Sequence, residues 1–134
     1  MIKSRISRVA ENDGRYVESR EVADNIIEMA TMAREAGIRV IIGSVFPCNY
    51  FSWRGASWTP SKEGMTIVSH IQEVNSLLTE YCQANGITFI DYYSAFVNPS
   101  DGSFPLSYDG CHPGSEALKT MNTMAKAAID AQLE

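Results

Sequence analysis

Ile38-Arg39-Val40-Ile41-Ile42-Gly43-Ser44-Val45 constrains the fold more than any other stretch of the chain. The run is largely β-branched and lacks the polar alternation of a strand with one wet face. It therefore predicts a strand covered on both faces, as in a parallel sheet. Pro47 ends it. Immediately upstream, Val22, Ile26, Met29, Ala30 and Ala33 recur at helical spacing between Ser19 and Ala36. Ser19 is suited to cap that helix, and Gly37 suits its C′ position.

The same unit then repeats. A second helix is expected from Ser61 to about Asn85, with Ile67, Ile71, Val74, Leu77, Leu78 and Tyr81 as its inward stripe and Gly86 at its end. Ile87 to Asp91 reads as the second strand. Tyr92 to Ser107 reads as a loop with Asn98-Pro99 and Asp101-Gly102 turns. A third helix should run from Pro113 to about Ala131, presenting Ala117, Leu118, Met121, Met124, Ala125, Ala128 and Ile129. Helices and strands in this order specify an α/β fold with right-handed crossovers, and active residues belong at the carboxyl ends of its strands. Met1 to Val9 could add a strand before the Glu11-Asn12-Asp13-Gly14 turn. Two or three strands cover such helix faces poorly, so either a second copy of the chain completes the sheet, as a homo-oligomer, or these residues are part of a longer domain.

Composition narrows the class. The 134 residues are 45% hydrophobic and 20% charged, as in one globular domain. A net charge of −5 and scattered basic residues argue against nucleic acid as a partner. Cys48, Cys82 and Cys111 form no CxxC pair and are odd in number, so they read as thiols. No metal-ligand spacing links Asp109, Cys111, His112 and the distant His70, and no cofactor is expected. No run is long enough for a signal peptide or a membrane span, so a cytoplasmic protein is expected from the chain as written.

The candidate chemistry lies in Tyr108-Asp109-Gly110-Cys111-His112-Pro113. A carboxylate three residues before an imidazole can accept the Nδ1 proton, fix the tautomer and leave Nε2 for general-base work. Pro113 would occupy a first helical position. The plainer alternative is an Asp-Gly turn and helix cap that happen to include a histidine. From Cys48 to Pro60 a long loop carries Tyr50, Trp53 and Arg54, either lining a substrate pocket or capping the sheet. His70, beside the second helix's apolar stripe, is read as a packing residue.

From about Val9 onward the chain resembles the carboxyl-terminal two thirds of the SGNH (GDSL-like) lipase and acylhydrolase family. Carrying the resemblance are Ala36-Gly37-Ile38-Arg39-Val40-Ile41, Ser44-Val45-Phe46-Pro47 leading to Trp53-Arg54, Ala84-Asn85-Gly86-Ile87, Asp91-Tyr92-Tyr93 and Asp109-Gly110-Cys111-His112-Pro113. It implies a flavodoxin-like three-layer α/β/α fold with a parallel sheet, here truncated at the amino end, and a metal-free hydrolysis of small acyl esters. Within it His112 would be the base and Asp109 its orienting acid. The family's Gly-Asp-Ser nucleophile block occurs nowhere in the chain, its oxyanion glycine is absent too, and its Asn-Asp block would fall on Ser7 and Arg8. Ser4, Ser7 and Ser44 lack the nucleophile's motif context. An isolated monomer is thus expected to be nearly inactive, and its full-length form could be exported. The alternative is a non-catalytic oligomeric or interaction remnant. A phosphate-binding module is disfavoured because no glycine-rich strand-to-helix loop is present.

Overall fold

A computed structural model describes residues 19–49 and 66–133. They form α1 (Ser19–Glu35), β1 (Ile41–Gly43), α2 (Ile67–Asn85), β2 (Thr88–Ile90), α3 (Tyr92–Phe96) and α4 (Ser115–Leu133). β1 and β2 pair in parallel, with Ile42 opposite Phe89, so the crossover through α2 joins neighbouring strands as the sequence pattern requires. Among the described residues the sheet has two strands.

Helical spacing explains how the core is built. Val22, Ala23, Ile26 and Ala30 of α1 and Val74, Leu78 and Cys82 of α2 share one face each and close over Ile42 of β1. Fully burying a side chain such as Ile26 or Leu78 contributes about 1.5–3 kcal/mol. Burial also pushes the Cys82 thiol pKa up, as suits a cysteine that packs. A separate cluster of Phe96, Phe104 and Ala117, with Phe46, Tyr92 and Met121 against it, joins α3, the following loop and α4. Its rings meet at centroid distances from 5.2 Å for Phe96–Phe104 to 6.4 Å for Tyr92–Phe96, the range of offset and tilted aromatic contacts.

Four boundaries differ from expectation. The β-branched run gives a strand only from Ile41, because Ile38 is still part of the helix exit: its N–H donates to the Ala33 carbonyl at 2.9 Å and its side chain is 58% exposed. Strong β propensity yields there to helix-capping geometry. The second helix opens at Ile67 rather than Ser61, because Thr66 is extended and its hydroxyl accepts the Ser69 N–H at 3.0 Å, a reciprocal capping box. The expected Tyr92–Ser107 loop begins with α3, whose first turn is capped by Asp91 accepting the Ser94 N–H at 3.0 Å. Finally, Pro113 is not a first helical residue. It bridges Ser107, and α4 starts two residues later.

No described helix is long and apolar enough to cross a membrane. α4 buries only Ala117 fully and leaves Leu118, Ile129 and Leu133 substantially exposed.

Candidate active site

The loop between α3 and α4 is built outward from a buried ring. Phe104 lies in the aromatic cluster, and its carbonyl accepts the Ser107 hydroxyl at 2.6 Å. Ser107 Oγ in turn accepts the Gly110 N–H at 2.9 Å. Gly110 has a φ of +92°, a conformation costly for a residue with a Cβ, which explains glycine at the apex. Ser107 bridges Pro113, Tyr108 N–H donates to the His112 carbonyl at 3.1 Å, and Gly114 N–H donates to the Leu106 carbonyl at 2.9 Å. A Cβ on Gly114 would stand 2.8 Å from that carbonyl oxygen, so the loop can close only over glycine.

Within this ring Asp109 does two jobs. Its Oδ1 accepts the N–H groups of Cys111 at 3.0 Å and His112 at 2.7 Å, which fixes the turn. Its Oδ2 lies 2.5 Å from His112 Nδ1. Burial pushes the Asp109 carboxyl up, but the backbone N–H groups of His112 and Cys111, the His112 side-chain hydrogen bond and the imidazolium charge outweigh it. The carboxyl is held below its ordinary value. An ionised carboxylate on Nδ1 selects the tautomer that carries its proton there. The turn and the acid–imidazole pair weighed separately in the sequence are thus one structure: the carboxylate that caps the backbone also orients the ring.

The elements place this pair at the carboxyl edge of the strands, since β1, β2 and the crossover fix the direction of both strands. Cys111 packs with Val45 and Tyr93 against Cys48, Ile67 and Ile71, which ties the loop to the first turns of α2. Ser44, at the end of β1, is buried, and its Oγ accepts the Tyr93 N–H at 2.8 Å, so it seats α3. Tyr50, Trp53 and Arg54, expected to line a substrate pocket, lie outside the described residues, as do Ser4, Ser7 and the Met1–Val9 segment.

Three features of this edge were not foreseen. His70, read as a packing residue, has its Nδ1 3.0 Å from the hydroxyl of the fully buried Ser19, which links α2 to the start of α1. Asn75 accepts the Val45 N–H at 2.7 Å and donates to the Val45 carbonyl at 3.1 Å, and so holds the exit from β1. Tyr108 stacks on His112 with ring centroids 5.7 Å apart and planes 21° from parallel. Its place next to Asp109 was the only sequence signal for that contact. A cleft of about 330 Å³ lined by Arg34, Arg39, Gly86 and Gln132 lies at the other, amino edge of the strands.

Solved structures with this fold are recognisable. A candidate acylhydrolase from Bacteroides fragilis NCTC 9343 superposes with a TM-score of 0.80 at 32% identity, over 94% of this chain and 58% of its own. A GDSL-like lipase from Bacteroides thetaiotaomicron VPI-5482 gives 0.78 at 31% identity, over 92% of this chain and 58% of its own. A lipolytic G-D-S-L family protein from Veillonella parvula DSM 2008, at 21% identity and a TM-score of 0.61, shares the fold. This chain therefore spans less than two thirds of the length of these two Bacteroides structures. No protein-family model and no curated relative matches it. Over its described residues the chain is a partial SGNH (GDSL-like) fold, the fold of the GDSL-like lipases and acylhydrolases on which it superposes.

Proposed function

We propose that this chain is a single partial SGNH-like domain, lacking the amino-terminal nucleophile block, that supplies the base and its orienting acid to a serine acylhydrolase. The substrate would be a short acyl ester, such as an acetyl ester. The observation that carries this reading is the Asp109 Oδ2 to His112 Nδ1 contact, with Asp109 already fixed by two backbone N–H groups. With Nδ1 holding its proton toward the carboxylate, Nε2 would accept the proton of a serine hydroxyl as it attacks the ester carbonyl. It would return that proton to the leaving alkoxide, and the cycle would repeat with water. Asp109 stays ionised throughout and stabilises the imidazolium. The nucleophile and oxyanion donors must come from outside these 134 residues, which contain no Gly-Asp-Ser. Tyr50, Trp53 and Arg54, which follow β1 in the sequence, would contact the substrate.

The test uses p-nitrophenyl acetate. The chain alone should hydrolyse it barely above buffer. Joined to the Gly-Asp-Ser segment of a GDSL-like lipase it should turn over, and His112→Ala should then cost on the order of a thousandfold or more in turnover. An active fusion indifferent to His112→Ala removes His112 from the chemistry.

The second reading, an oligomeric or interaction remnant of the fold, is favoured by the exposed Leu118, Ile129 and Leu133 on α4 and by the two-stranded sheet of the described residues. It predicts a dimer or larger assembly by light scattering at micromolar concentration. A well-folded monomer eliminates it.

A further inference from the structure

We propose that Tyr108 is a positioning residue for His112, holding the imidazole in the plane in which Asp109 can engage it. The proposal rests on the reading of Asp109 and His112 as an acid–base pair. The histidine is held at Nδ1 by Asp109 and along its backbone by two bonds, the His112 N–H to Asp109 Oδ1 and the Tyr108 N–H to the His112 carbonyl. The Asp109 bond restrains swing of the ring about χ1 and χ2 from its edge, and 36% of the side chain's surface is exposed. The Tyr108 ring, stacked at 5.7 Å and 21°, restrains that swing from the face. Edge and face restraints act on the same ring plane from two directions.

Packing alone does not explain this ring. Tyr108 is 73% exposed and belongs to none of the apolar clusters formed by the described residues, so it adds little to the core. The loop is closed without it, through Ser107, Gly110, Pro113 and Gly114. What its side chain does contact is the imidazole.

An aromatic pair of this geometry shifts the population of the restrained ring by roughly two- to tenfold. The experiment follows the low-field Nδ1 proton of His112 in the full chain by NMR and measures its exchange with water by magnetisation transfer. In Tyr108→Leu the exchange should quicken by about two- to tenfold, while Tyr108→Phe, which keeps the ring and loses the hydroxyl, should match the parent. The amide signals of Gly110 and Gly114, which report the loop's own bonds, should stay in place in both variants. Unchanged exchange in Tyr108→Leu overturns the proposal while leaving the Asp109–His112 pair standing. So does an equal effect in Tyr108→Phe, or displaced Gly110 and Gly114 amides, since either assigns Tyr108 another role. A parent with no low-field Nδ1 proton, or one that survives Asp109→Asn unaltered, fails the acid–base pair itself and the proposal with it.

Discussion

Truncating Leu78 to alanine is expected to lower the unfolding free energy by about 3 kcal/mol, the middle of the range for a buried leucine that loses its side chain. Leu78 is 0% exposed and sits where α1, α2 and β1 meet, among Ile26, Ile42 and Val74. Removing it costs the transfer free energy of the lost carbons and also leaves a cavity lined by β-branched side chains. Those have few rotamers with which to fill it. A domain of this size is stable by only about 5–15 kcal/mol, so the loss is a large fraction of the whole. Urea unfolding should show a midpoint lowered by about 1–2 M at unchanged slope. Ile129→Ala, on the exposed side of α4 at 49%, is the control and should shift stability by less than about 0.5 kcal/mol. Equal effects at the two positions would mean that the α1–α2 core is not the folded centre.

Asp109 gives the second large effect, with a pH dependence of defined sign. Asp109→Ala strips the acceptor from Cys111 N–H, His112 N–H and His112 Nδ1 together and should cost about 1–3 kcal/mol at neutral pH. Asp109→Asn is milder for folding, since its amide oxygen can still accept the two backbone N–H groups. It is nevertheless as damaging for base chemistry, because an amide NH₂ facing Nδ1 selects the wrong tautomer. The Asp109 carboxyl is held below its ordinary value in the folded protein. Its charged-state contribution is therefore fully present above the unfolded-state value of about 3.9 and is lost as pH falls through the lower folded-state value. The stability gap between parent and Asp109→Asn should narrow as the pH falls below about 4. Urea titrations at several pH values read it directly. A gap that widens as the pH falls below about 4 would show that the carboxylate is not stabilised by its partners.

Much of the architecture could be read because each expected element obeyed one period. The spacing of Val22, Ile26 and Ala30, and of Ile67, Ile71, Val74 and Leu78, is the spacing of the buried faces of α1 and α2. The parallel pairing followed from the β-branched run and the crossover. What the periodicity could not carry was short-range polar competition. Thr66 and Asp91 open helices through their side chains, and neither belongs to an apolar stripe. Pro113 looks like a helix start until Ser107, 6 residues upstream, is known to bridge it. At the site, DxxH spacing gave the Asp109–His112 contact, since three residues on a turn are adjacent in space. The Ser19–His70 link spans 51 residues and the Asn75–Val45 pairing 30, and neither partner carries a motif. Such pairings are products of the fold and have no local signature.

The pairing of Asn75 with both polar groups of Val45 has a mechanical consequence. A primary amide presents an N–H donor and its carbonyl acceptor side by side, so it can meet the N–H and C=O of one extended residue at a single offset. Sliding α2 along its axis by even one residue, about 1.5 Å, would break both bonds at once. Asn75 thereby acts as a detent that sets the height of α2 against the end of β1. Ile67 and Ile71, a turn or two above it, carry that setting to Cys111 and hence to the loop that holds His112.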